Sequence, residues 1–161
     1  MTKDIYILVG PPASGKSTWI QKEFQGECHV VSTDNIIQAV ADDEGKTYNE
    51  VFSSFIKEAE EMMWSDFDIY VTGGYTPIIV DRTNMNRKAR ARFINRLRTH
   101  RNDYKIHAVV FPKPEDEEYE YRLHNRPGKT IPEAVINGML AAFQMPTADE
   151  GFDTVSVYEA E

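Results

Sequence analysis

The sequence predicts an α/β fold, with a central parallel sheet flanked by helices. Three observations point there. Short apolar runs alternate with segments of helical period along the whole chain. The first run, Ile5–Val9, is continuously apolar, as in a strand buried on both faces. Polar clusters, Ser32-Thr33-Asp34 and Asp81-Arg82-Thr83-Asn84, follow two later runs, at the sheet edge where open α/β folds bind ligands.

Element by element, Ile5–Val9 is the first strand, followed by a glycine-rich loop and a helix from about Ser17 to Phe24. His29–Val31 is a second strand, and Ser32-Thr33-Asp34 is a helix-start signal. Val51, Phe55, Ala59 and Met62/Met63 recur at helical spacing up to Phe67, and Gly73-Gly74 is a loop or helix stop. Ile78–Val80 is a third strand, Asn86–His100 a basic helix, and Ile106–Phe111 a fourth strand. Glu115–His124 is an acidic helix, and Pro132 sits in the first turn of another that runs to Phe143. Thr154–Tyr158 is the last expected strand.

With 161 residues and no long Pro/Gly/Ser linker, the chain is expected to form one domain, 1–161. No apolar run approaches bilayer length, so no membrane partner is expected. One cysteine, Cys28, excludes an internal disulfide, and with no apolar leader-like run the expected compartment is the cytoplasm. The net charge of −8 conceals a strong asymmetry. From Arg82 to Lys105 there are nine basic residues, half of the eighteen, against the single acid Asp103. Such a stretch fits contact with nucleic-acid phosphates, or salt bridges to the acidic remainder or a subunit interface. Trp19, Tyr48 and Tyr75 could stack on bases, but core packing is the better expectation for each.

Gly10-Pro11-Pro12-Ala13-Ser14-Gly15-Lys16-Ser17, continued by Thr18, matches G-x-x-x-x-G-K-[ST] between a buried strand and a helix. Glycines there let backbone N–H groups curl around phosphate, and the helix N-terminus adds a favourable dipole. Lys16 is expected on the β- and γ-phosphates of ATP or another nucleoside triphosphate, and Ser17 on Mg²⁺. The fold class thereby narrows to a three-layer P-loop NTPase type. No N-K-x-D guanine-reading motif occurs, which leaves a small P-loop phosphotransferase as the leading class.

On the acceptor side, Asp34 can accept the proton of an attacking hydroxyl, or cap the helix beginning near Asn35. Asp81 can bind Mg²⁺ through water, orient the loop, or simply hydrogen-bond Thr83 and Asn84. Arg122 and Arg126 lie four residues apart on one helix face, before Pro127-Gly128, so a lid over about 115–132 can bring a guanidinium to the transferring phosphoryl group. Favourable charge at a helix C-terminus is the alternative.

Gly10–Thr18 with Trp19, then Asp34, Asp81-Arg82-Thr83-Asn84 with Asn86, and Arg122/Arg126 with Lys129 and Pro132, resemble the polynucleotide 5′-hydroxyl kinases, in particular the kinase domain of the phage kinase-phosphatase type. The resemblance implies transfer of the γ-phosphoryl of ATP to 5′-OH ends of DNA or RNA. It implies Lys16 and Ser17 on phosphate and Mg²⁺, Asp34 as general base, Arg126 as lid arginine and Arg122 as a supporting donor. Asp81, Arg82, Thr83 and Asn84 would then face the acceptor. The family's arginine three residues after the base is Ile37 here, and Arg82 is expected to supply the missing phosphate contact. A homo-oligomer, and a partnership with a separate phosphatase or ligase, are compatible with this reading. So are two alternatives, a kinase of a small metabolite or nucleoside and a non-catalytic nucleotide-dependent nucleic-acid-binding module.

Overall fold

A computed structural model describes residues 2–159. Five parallel strands form one sheet in the order β2-β3-β1-β4-β5: β1 (Lys3–Val9), β2 (His29–Val31), β3 (Ile78–Val80), β4 (Tyr104–Val110) and β5 (Thr154–Val157). In the centre, Ile5 pairs with Ile78 on one side and Ile106 on the other. All of β3 is buried, which explains its unbroken Ile-Ile-Val run.

Strand alternation divides the core into two layers. Ile5, Ile7, Ile78, Val80, Ile106 and Ala108 face Met63, Phe67 and Val71 of α3 (Tyr48–Thr72) and Phe93, Ile94 and Leu97 of α4 (Arg87–His100). Leu8, Ile79 and Val109 face the other way, against Trp19 of α1 (Lys16–Phe24). Trp19 is therefore core, as expected. A third cluster joins Ile37 and Ala41 of α2 (Thr33–Glu44) to Tyr48, Val51 and Ala59 of α3. Ile37 is completely buried there, so its position could not serve an acceptor strand in any case.

The elements agree with the sequence, with shifts at their ends. α3 starts three residues before Val51 because Thr47 and Glu50 form a capping box. Its end at Gly73 is as expected. β4 starts two residues before Ile106, with Tyr104 buried. The stretch expected to act as a lid contains α5 (Asp116–His124) and the segment leading to α6 (Glu133–Ala141), where Pro132 occupies the N-cap rather than the first turn. The short helix Ala148–Glu150 precedes β5.

Four strands end at one edge of the sheet. Ile7 and Val31 are both level with Val80, and Val9 is level with Val110, so the loops after them emerge together. That edge carries the phosphate loop, Asp34 and Asp81.

Candidate active site

The loop between β1 and α1 is pinned at both ends. The Gly10 N–H donates to Thr83 O (2.9 Å), and a side chain at Gly10 would collide with Phe111, whose carbonyl oxygen lies 2.7 Å from the Cβ position. At the other end Gly15 has φ +100°, which glycine adopts without strain, and leads directly into α1. Ser14 Oγ donates to Pro11 O (2.7 Å) and closes the turn. The Lys16 ammonium donates to Gly10 O (2.7 Å) and Pro11 O (3.3 Å) across the loop's mouth. Burial pushes Lys16 down from 10.5 to about 8, despite Asp81 and Asp34 nearby. An anion in the loop would reverse that shift.

A chamber of about 730 Å³ opens over the loop, bounded by residues 12–18, the strand-end residues Asp34 and Asp81, and the lid residues Arg122 and Arg126. Arg122 donates to Ala13 O (3.3 Å) and to Glu118 (2.9 Å), which ties the lid to the loop. Arg126 differs: its Nη1 is buried with no hydrogen-bond partner among the described residues. A buried guanidinium nitrogen left unpaired is costly, and a phosphate oxygen is a ligand that would satisfy it. The loop, the desolvated lysine and this orphaned donor fit a nucleoside triphosphate. No group of three or more His, Cys, Asp or Glu able to hold a metal occurs among the described residues. A divalent cation at exposed Ser17 would take most ligands from phosphate and water.

A second chamber of about 640 Å³ adjoins the first. Asp34, Asp81, Arg82, Thr83 and Lys129 line both. Its remaining wall is mostly apolar, with Phe52 and Ile56 of α3, Ile131, and Val135 and Met139 of α6. Asp34 is not the helix cap: Ser32 Oγ accepts from Asn35 N (3.1 Å) and performs that task. The Asp34 carboxylate is thus free to accept from Tyr48 Oη (2.7 Å) and Lys129 Nζ (2.9 Å). Its pKa is a contest: desolvation raises it, but Lys129, the Tyr48 hydroxyl and Arg126 together win and hold it below the ordinary carboxylate value. Asp81 goes the other way, raised by burial and the Asp34 charge against the pull of Lys16. Its carboxylate bonds neither Thr83 nor Asn84, which corrects that part of the expectation, and it lines both chambers.

Two expected acceptor residues have other duties. Asn84 lines neither chamber; it is buried at φ +48°, and its amide donates to Leu8 O (2.8 Å). Arg82 lines both chambers but donates to Glu60 Oε2 (2.9 Å) and Thr33 Oγ1 (3.1 Å). Several arginines of the basic helix and its flanks form salt bridges, while Lys88, Arg92 and Arg98 pair with no carboxylate among the described residues. Arg87 pairs with Asp149, Arg96 with Asp68, and Arg101 with Asp103. Arg90, 0% exposed, is gripped by both oxygens of Glu150 (2.8 and 3.1 Å) and donates to Asn84 O (2.9 Å). Arg92 and Arg96 lie over Trp64 (5.1 and 4.9 Å). Apart from Asp103, two residues after Arg101, these carboxylate and aromatic partners lie 28 to 62 residues away in sequence, beyond any i,i+4 inspection.

Sequence reasoning missed Tyr48 as a site residue, along with Glu60. Tyr48 is buried, as its aromatic character suggested, yet its hydroxyl reaches Asp34. Tyr75 is 43% exposed, which corrects the core-packing expectation for it, and its ring lies edge-on against His29.

Residues 5–146 match a family described as an AAA domain. The chain belongs to that family. Solved structures share its fold. A candidate kinase from Chloroflexus aurantiacus aligns over 98% of this chain and 88% of its own, with TM-score 0.69 and 19% identity. A protein of the PezAT chromosomal toxin-antitoxin system of Streptococcus pneumoniae aligns over 98% and 67%, with TM-score 0.66 and 17% identity. A sugar kinase from Janibacter aligns over 97% and 86%, with TM-score 0.51 and 20% identity. Identities this low establish the shared fold of the AAA-family domain and leave its acceptor to be argued from the site.

Proposed function

We propose that this P-loop domain is an ATP-dependent kinase of polynucleotide 5′-hydroxyl ends. The observation that carries phosphotransfer is the position of Asp34, on the wall shared by the phosphate-loop chamber and the second chamber. A carboxylate there can take the proton of a hydroxyl approaching a γ-phosphate in line. The acceptor oxygen forms its bond to the γ-phosphorus as the bond to the β,γ-bridging oxygen breaks. The hydroxyl proton passes to Asp34, and nucleoside diphosphate leaves. Lys16 and Arg126 hold the phosphoryl oxygens as charge spreads over them, and Arg122 steadies the loop. Mg²⁺, held by Ser17 with Asp81 through water, would supply further charge neutralisation when bound.

The polynucleotide acceptor is supported by convergence. Lys16, Asp34, Thr83, Arg126, Lys129 and Pro132, by which the chain resembles the 5′-hydroxyl kinases, all line this two-chambered cleft. One observation favours a small-alcohol kinase instead: the acceptor chamber is walled by apolar side chains, and its Arg82 is already paired with Glu60. Transfer of γ-labelled phosphate from ATP to 5′-OH DNA and RNA oligonucleotides, nucleosides and small alcohols separates the readings. Labelled oligonucleotide ends are expected, with turnover cut by roughly 10²–10⁴ in Asp34→Ala while ATP still binds. Labelling confined to nucleosides or small alcohols selects the second reading. Oligonucleotide binding without transfer to any acceptor would mean a non-catalytic module.

A further inference from the structure

The surroundings of Asp34 contain two donors of different kinds. Tyr48, first residue of α3, is only 6% exposed, and its ring is fixed by packing with Ile37, Ala41 and Val51. Its hydroxyl donates to Oδ1 (2.7 Å). Burial and the adjacent carboxylate push the phenol far above its ordinary value of 10, so it stays a protonated donor. Lys129 donates to the other oxygen, Oδ2 (2.9 Å), with its ammonium 4.3 Å from the centre of the Tyr48 ring. Among the lid residues, Lys129 alone lines both chambers.

The backbone beside Lys129 is docked on the start of α3. Asn49 N–H donates to Gly128 O (3.0 Å), and Thr130 N–H donates to Asn49 Oδ1 (3.3 Å). Gly128 has φ +69°, and a Cβ there would lie 2.7 Å from Thr47 Cβ. The main chain therefore holds Lys129 at the boundary between the chambers. Its four-carbon side chain remains able to turn from one to the other.

Resting on the reading of Asp34 as base, we infer that Tyr48 is a positioning residue for that base and that Lys129 is an exchangeable partner, bound to Asp34 until donor phosphate arrives and then transferred to it. A triphosphate offers the ammonium several negative charges against one on Asp34, at a site already bordered by the unpaired Arg126 nitrogen. Transfer frees Oδ2 for the acceptor hydroxyl while Tyr48 keeps Oδ1 in place. It also removes a cation from the carboxylate, which raises its proton affinity and makes it a better base. The other charges facing Asp34 are Arg126 from the lid, Lys16 from the phosphate loop and Asp81 from the end of β3. The donor thus activates the base that uses it.

The test needs no acceptor. In full-length protein carrying ¹³C-carboxyl aspartate, the Asp34 resonance, assigned with Asp34→Asn, is titrated with and without a non-hydrolysable ATP analogue and Mg²⁺. Expected is a rise in the Asp34 midpoint on adding the analogue. In Lys129→Met that rise should be present beforehand and the analogue should add little. An Asp34 midpoint that the analogue leaves unchanged or lowers in the wild type overturns the exchange. For Tyr48→Phe, which keeps the ring, kcat should fall roughly 10- to 100-fold with unchanged analogue affinity and Tm. The acid limb of its rate profile should move to higher pH. Unchanged kcat and acid limb would remove the positioning role. Absence of phosphate transfer by the wild type to every acceptor would instead count against the proposed function, and the resonance titration would still report on the exchange.

Discussion

Two cationic regions of this molecule have opposite characters. α4 and its flanks carry the densest positive charge in the sequence, and Arg82, Arg87, Arg90, Arg96 and Arg101 have carboxylate partners, although Arg98 Nη1 is buried without a hydrogen-bond partner among the described residues. The lid carries fewer cations, yet one nitrogen of Arg126 is buried without a partner and Lys129 sits between two chambers. Charge density marks where the fold is laced together. An unsatisfied nitrogen marks where a ligand is wanted when its side chain also lines a chamber, as that of Arg126 does and that of Arg98 does not.

The contrast can be broken most directly by Arg126→Ala. If its unpaired nitrogen serves the transferring phosphoryl group, kcat should fall by roughly 10³-fold or more in steady-state assays, with thermal stability nearly intact. Retained turnover would make the lid arginine as structural as those of α4. Arg90→Met should do the reverse. Stranding buried Glu150 should cost about 3–5 kcal/mol in denaturant unfolding, while kcat per folded molecule stays near that of the wild type. A large kcat defect in the folded fraction would bring α4 into the catalytic machinery.

The Lys16 shift gives a smaller, pH-dependent effect. The protonated form binds phosphate, and the free protein loses that proton as pH rises through about 8. Consequently kcat/KM for ATP should decline above about pH 8, towards tenfold per pH unit. At saturating ATP, kcat should stay level further into alkali, since bound triphosphate holds the proton on. For folding the sign is opposite: between about 8 and 10.5 the unfolded chain binds the extra proton, so this group's contribution to stability rises with pH. A flat kcat/KM profile to pH 9.5 would contradict the desolvated lysine.

The smallest effect sharpens the α4 side. Removing the surface Arg96–Asp68 pair with Arg96→Ala should cost under about 1 kcal/mol. The salt dependence of oligonucleotide KM should not change. A salt slope reduced by about one would restore α4 as a phosphate-binding face.

Much of the frame could be read locally. Apolar runs marked the first four strands and an alternating Thr-Val-Ser-Val the fifth, and the phosphate loop was visible in eight consecutive residues because backbone geometry and a helix start are short-range properties. Ser32-Thr33-Asp34 marked a helix start but left open which residue caps it; the Ser32 hydroxyl resolves that by bonding Asn35. Asn84 looked like an acceptor contact, but β1 and the 81–84 loop meet only in the folded sheet, where its amide binds Leu8. Tyr48 looked like core and is core, and nothing in its local sequence shows that its hydroxyl ends on Asp34.

The sequence by itself determined the strand-helix alternation and the phosphate loop, and singled out Asp34, Arg122 and Arg126, which line the chamber over that loop, since periodicity and short motifs are encoded within a few residues. Only the tertiary structure decided which charges are spent. Ion pairs such as Arg90–Glu150 and Lys129–Asp34 join positions 60 and 95 residues apart. Whether a cation is consumed by the fold or left for a ligand depends on what the packed helices bring within hydrogen-bonding distance, and composition carries no record of that distance.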